Sequence, residues 1–107
     1  MASNLEELMA FQLRVCDWPE PVREFHFIPG RKFRADFAWP GLKLLLEVEG
    51  GTWNGGRHTS GKGFGTDCEK YNLASIQGWR VIRVTGEHIK SGQALAWLEA
   101  AMRLPFQ

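Results

Sequence analysis

Hydrophobic and polar positions change period several times along the chain, and the clearest change falls between Phe33 and Glu49, in FRADFAWPGLKLLLEVE. Its first half alternates, with Phe33, Ala35 and Phe37 on one side and Arg34, Asp36 and Ala38 on the other, the period of a half-buried strand. Trp39, Pro40 and Gly41 read as a turn. Leu44, Leu45 and Leu46 form an unbroken apolar run, the mark of a central strand covered on both faces, and it ends in Glu47, Val48 and Glu49. Upstream, residues 22 to 28 alternate as another strand that Pro29 and Gly30 turn back, so three strands form an antiparallel meander.

The flanks read as helices. Ser3 with Glu6 has the spacing of a capping box, and Leu5, Leu8, Met9, Gln12, Val15 and Cys16 recur at helical spacing, which predicts a helix over residues 4 to 16. Residues 50 to 65 are too rich in glycine for regular structure and read as a loop. Thr66 with Glu69 predicts a second helix through Gln77, stopped by Gly78, and Trp79 to Thr85 reads as a strand. A helix between the acidic strand and this one makes a crossover, which favours parallel pairing. Ser91 is expected to cap a last helix, closed by Pro105. The predicted order is αβββαβα, an α/β (α+β) arrangement in which helices flank a mixed four-stranded sheet.

At 107 residues the chain has room for one core, so residues 1–107 read as one domain. A net charge of +1 gives no overall basic field, and nucleic-acid binding would have to use local clusters among Arg23, Arg31, Lys32, Arg34, Arg57, Lys62, Arg80 and Arg83. Cys16 and Cys68 lack CxxC spacing and no Cys and His pattern suggests zinc. With no leader peptide or apolar run of membrane length, the expectation is a cytoplasmic protein with reduced thiols and no membrane partner.

The chemistry concentrates in three acids. Glu47 and Glu49, two apart on a strand, point the same way with Cα atoms roughly 6.5 Å apart. A hairpin register that sets Asp36 opposite Leu45 or Glu47 brings it to the same face. Carboxylates packed this closely raise each other's pKa unless a cation compensates, and Mg²⁺ is the usual cation for carboxylate oxygens. The bland alternative is a solvated strand end. Gly56 to Lys62 nearly matches a phosphate-binding loop, but Gly63 stands where that motif needs Ser or Thr.

Asp36, then Glu47-Val48-Glu49 on the third strand, within this element order, resembles the PD-(D/E)XK nuclease superfamily. Asp36-Phe37-Ala38, Glu47 to Gly51, His58, Asp67 with Lys70, and Gly78 to Arg83 together resemble a small branch related to very-short-patch-repair endonucleases, populated by short nucleases of bacteria and phages. The resemblance spans Glu6 to about Ile89. It implies a restriction-endonuclease-like core and a Mg²⁺- or Mn²⁺-dependent DNA endonuclease, structure-specific or nicking, acting as monomer or homodimer in a bacterial or phage-infected cell. Asp36 and Glu47 match the family's metal-binding acids, and Glu49 stands where the family usually has lysine, a departure that other members share. Glu49 would complete the metal site or orient water. The lysine's role would pass to Lys62, His58 or Lys70. Glu6 fits an additional acid of the first helix, with Glu7 as competitor and an ordinary capping acid as the alternative.

Arg34, Arg57, Lys62 and Trp53 are the expected DNA contacts, Trp53 either stacking on a base or covering the core. His58 is otherwise an exposed loop residue, and Asp67 and Lys70 otherwise belong to a solvated helix start. The rival expectations are a non-catalytic nucleic-acid-binding module on the same scaffold and a phage protein-interaction domain.

Overall fold

A computed structural model describes residues 3–50 and 61–104, except the side chains of residues 61 and 62. Helix α1 spans Asn4–Arg14, and the capping box is formed as expected: Ser3 Oγ accepts the Glu6 amide while Glu6 reaches back to the Ser3 amide. Strands β1 (Val22–His26), β2 (Arg34–Trp39) and β3 (Leu44–Glu49) make the meander, with a short 3-10 turn at Pro40–Leu42 between the last two. Helix α2 (Gly61–Ile76) carries the chain across to β4 (Arg80–Thr85), which lies parallel to β3. The sheet order is β1-β2-β3-β4.

The apolar run of β3 is explained by two cores. Leu44 and Leu46 pack with Met9, Leu13, Phe37, Trp39, Val84 and Leu98, while Leu45 packs on the opposite side with Phe27, Ala38 and Ala74 of α2. Burial on both faces removes any polar alternation from the sequence. Helices therefore flank a mixed sheet, an α+β fold, and β3 sits centrally with its acids at the end of its buried run.

Several elements differ from the sequence reading. Phe33 and Ala35 belong to the second core and Phe37 to the first, so these three do not share one side. The change coincides with a break in the β1–β2 ladder. Glu24 and Asp36 are the one opposed pair there without a ladder bridge, and Glu24 holds a left-handed φ of 51°. Strand β1 ends at His26, and Phe27 and Ile28 are buried beyond it. Trp39 lies in β2 rather than in the turn, with its indole donating to the Pro19 carbonyl at 2.7 Å.

Helix α2 begins at Gly61, ahead of the expected Thr66, so Gly63 and Gly65 are helical despite a cost near 1 kcal/mol each relative to alanine. Its end follows the reading, since Gly78 takes φ +84° after the last turn. Sequence reasoning missed helix α3, Gly86–Ser91, which a Thr85 and His88 capping box opens. Gly92, at φ +89°, then separates it from α4, Gln93–Arg103, so Ser91 ends one helix instead of capping the next.

Arg80, one of the cations considered for a local basic cluster, forms a structural clamp. Its guanidinium donates to the carbonyls of Ala101 and Leu42, both at 3.0 Å, tying the end of α4 to the 3-10 turn. Among the described residues no helix is long and apolar enough to cross a membrane.

Candidate active site

Strand pairing between β2 and β3 runs from Trp39↔Leu44 to Phe37↔Leu46 and stops there. The next pair in that register is Asp36 and Glu47, one of the two registers expected. In place of the missing ladder bond, Asp36 Oδ2 accepts the Val48 amide at 2.7 Å. Burial pushes the Asp36 carboxyl up to about 6, the Val48 amide pulls it down, and the charges of Glu6 and Glu47 push it further up. The Glu6 carboxyl beside it likewise favours the protonated form of Asp36.

The structure places the two candidate acids of α1 differently. Glu6, on the first turn of α1, faces Asp36 while its Oε1 completes the capping box. Glu7 turns away and pairs with Arg23 at 3.0 Å. The cap and the acid cluster thus use the same side chain.

Glu47 is buried to 7% exposure, the one charged side chain in the core among the described residues. Lys70 of α2 donates to its Oε1 at 3.0 Å and stands 2.8 Å from its Oε2, off the line of a hydrogen bond. Oε2 is therefore buried beside a cation yet receives no hydrogen bond. Burial, first, and the charge of Glu49 raise the Glu47 pKa, against the stabilising bonds of Lys70 and of the Tyr71 hydroxyl. Such a group is expensive to keep ionised without an adjacent positive charge.

Glu49 does not join Asp36. Arg83 of β4, opposite Glu47 in the parallel ladder, donates Nε to Glu49 Oε2 at 3.0 Å. The Arg83 guanidinium also lies over the Tyr71 ring, 4.5 Å from its centroid, and Lys70 Nζ lies 5.5 Å from the same centroid. Burial together with Glu47 and Glu49 pushes the Tyr71 phenol well above its ordinary pKa. Tyr71 and Arg83 thus belong to the site, and sequence reasoning assigned neither a role in it. The available signal was that the chain's single tyrosine directly follows Lys70 on the helix crossing from the acidic strand.

The expected three-acid metal patch of Asp36, Glu47 and Glu49 is not assembled, because Arg83 draws Glu49 aside. Among the described residues no group of three or more His, Cys, Asp or Glu side chains is placed to hold one ion. Asp36 and Glu47 nevertheless suit a hard cation as a pair: they are neighbours across the strands, they carry excess negative charge with Glu6, and Glu47 Oε2 lacks a donor. Mg²⁺ commonly uses one or two carboxylates and completes its shell with water.

Other expected contacts fall elsewhere. Trp53, Arg57 and His58 lie outside the described residues, as does the 56–60 part of the phosphate-loop-like stretch, and Lys62 is described in its backbone alone, within the first turn of α2. Arg34 is exposed on β2 and pairs with Glu24 at 2.9 Å. Arg31 pairs with Glu69 at 2.6 Å. A cleft of about 400 Å³ lies toward the end of α1, lined by residues such as Trp18, Arg23 and Phe37. It contains none of the clustered acids, and the chemistry favours the acid cluster over this cleft.

Comparison with known protein families, with curated proteins and with solved structures gave no match to this chain.

Proposed function

We propose that this chain is a Mg²⁺- or Mn²⁺-dependent DNA endonuclease of the PD-(D/E)XK type, with a restriction-endonuclease-like arrangement of its sheet and helices. The observation that carries the reading is the buried Glu47, held beside Asp36 and Glu6 with Lys70 against it. Folding does not reward a core carboxylate, since replacing a buried ion pair by apolar groups is often neutral or stabilising. Function accounts for a cluster whose maintenance costs stability.

In this reading Asp36 and Glu47 hold the ion. Bound there, it would polarise a phosphate oxygen and lower the pKa of an attacking water. Glu6, beside Asp36, adds negative charge that favours cation binding at the pair. Lys70 is the ammonium nearest the acids and takes the charge-stabilising role that Glu49 cannot fill when ionised. Arg83 keeps Glu49 turned from Asp36 and places a second cation at the rim, its side chain 48% exposed. Arg34, Trp53, Arg57, His58 and Lys62 are the proposed DNA contacts.

A second reading has one observation in its favour. Both acids of β3 already have a cation partner, Lys70 on Glu47 and Arg83 on Glu49, as a non-catalytic nucleic-acid-binding module on this scaffold would have. Incubating the protein with supercoiled plasmid and branched DNA in Mg²⁺, Mn²⁺ or EDTA separates the two. Metal-dependent nicking supports the enzyme, and binding without strand breakage in every metal supports the module.

A further inference from the structure

We infer that Lys70 competes with the divalent ion for Glu47: its ammonium holds the carboxylate when no ion is bound and gives it up when one binds. The inference rests on the metal site of the proposed function and concerns what occupies that site beforehand.

Three observations carry it. The Glu47 carboxylate is buried, and Lys70 approaches both of its oxygens, at 3.0 and 2.8 Å. That leaves little room for an ion on the carboxylate while the amine remains. The fit is also imperfect, since Lys70 satisfies Oε1 by a hydrogen bond and leaves Oε2 without one. A hard cation bound through carboxylate oxygens does not need the donor geometry that Oε2 lacks.

The third observation is a place for the displaced amine. The Tyr71 ring centroid is 5.5 Å from Lys70 Nζ, within the range of a cation–π contact, and the lysine side chain is 16% exposed, so its flexible stem opens toward solvent. The Tyr71 hydroxyl also favours the charged form of Glu47. Arg83 cannot exchange in the same way, because it holds Glu49 and leaves Glu47 to Lys70. The exchange raises the local positive charge by one: one ammonium leaves a carboxylate and a divalent cation with its waters takes its place. The ion arrives with its own charge, so its affinity is reduced by the work of displacing Lys70.

The test measures Mn²⁺ binding from the loss of the free-ion electron paramagnetic resonance signal in the parent, Lys70→Met and Glu47→Gln. Competition predicts that Lys70→Met binds Mn²⁺ about 10-fold more tightly than the parent, that Glu47→Gln binds far more weakly, and that Lys70→Met nonetheless cuts DNA more slowly. Because Lys70→Met leaves a buried carboxylate unpaired and risks unfolding, a second measurement uses the parent alone. Amine acylation read by mass spectrometry should rise several-fold at Lys70 when Mg²⁺ is added and stay constant at the exposed Lys90. Unchanged or weaker Mn²⁺ binding by a folded Lys70→Met, or unchanged Lys70 acylation in a parent that binds Mn²⁺, overturns the competition and leaves the metal site standing. No Mn²⁺ binding by the parent overturns the metal site and the competition with it.

Discussion

Asp36 accepts the Val48 amide at 2.7 Å at the point where β2 and β3 part, so a side chain takes the place of a ladder bond one residue past the last strand pair. The separation leaves room for carboxylates between strands that would otherwise close. It also fixes the Asp36 carboxyl in a partly desolvated position beside Glu6 and Glu47.

The first prediction concerns pH. The folded Asp36 carboxyl titrates near 6, above the ordinary 3.8, so the folded state binds protons more tightly than the unfolded chain. Stability from this group is therefore highest below the unfolded value and falls as pH rises from about 4 to about 6. Asp36→Asn removes that penalty and should raise stability at pH 7.5 by roughly 1 to 2 kcal/mol, after allowance for partial exposure, with little effect at pH 4. Thermal unfolding in EDTA at both pH values checks it, and a gain that is independent of pH would show that the carboxyl is not the strained group.

The second concerns Glu47. From sequence, mutual repulsion between Glu47 and Glu49 suggests that Glu47→Ala leaves stability unchanged or slightly higher. The structure reverses that expectation, because Glu47 is the partner of the half-buried Lys70 and its loss strands the ammonium. Glu47→Ala should cost roughly 2 to 3 kcal/mol, less than a fully buried pair because the lysine stem can turn outward. Chemical denaturation measures this, and an unchanged midpoint would mean the pair contributes nothing.

A third separates structural from DNA-binding cations. Arg80→Ala leaves the Ala101 and Leu42 carbonyls without their donor and should destabilise the fold by about 2 kcal/mol. The salt dependence of DNA affinity should stay the same, whereas Arg34→Ala should flatten it, as one fewer phosphate contact releases counterions. Binding titrations across salt concentrations check both, and a slope altered by Arg80→Ala would place Arg80 on the DNA.

Much of this arrangement is legible in the sequence, for local reasons. The capping box of α1, the two-sided burial of β3 and the parallel crossover follow from spacing within one element or between neighbours. What escaped the reading depends on contacts distant in sequence. Glu49 and Arg83 are 34 residues apart, and nothing in either strand announces that they meet. Arg23, Arg31 and Arg34 read as free cations, but each meets an acid on a neighbouring segment. Helix α2 extends back through glycines that propensity assigns to a loop, because propensity is weak beside tertiary packing. Lys70 is legible as one candidate for the missing lysine's role, and its contact with Glu47 is not.

A fourth prediction weighs the possible charge donors. Lys70→Ala should lower single-turnover cleavage roughly 100-fold or more while leaving DNA binding in Ca²⁺ nearly intact, as expected of a group that acts mainly in the transition state. Arg57→Ala, His58→Ala and Lys62→Ala should lose less rate. Equal losses at Lys62 and Lys70 would divide the role between the two lysines.

The central claim is that the Asp36 and Glu47 pair supports metal-dependent cleavage of DNA. The most direct measurement compares the parent with Glu47→Gln on supercoiled plasmid and on branched DNA, in Mg²⁺, in Mn²⁺ and in EDTA, after confirming that both proteins are folded. The account predicts nicked or linear product from the parent with either metal, none in EDTA, and none from Glu47→Gln. Cleavage by Glu47→Gln at the parent's rate, or cleavage by the parent that persists in EDTA, would contradict it.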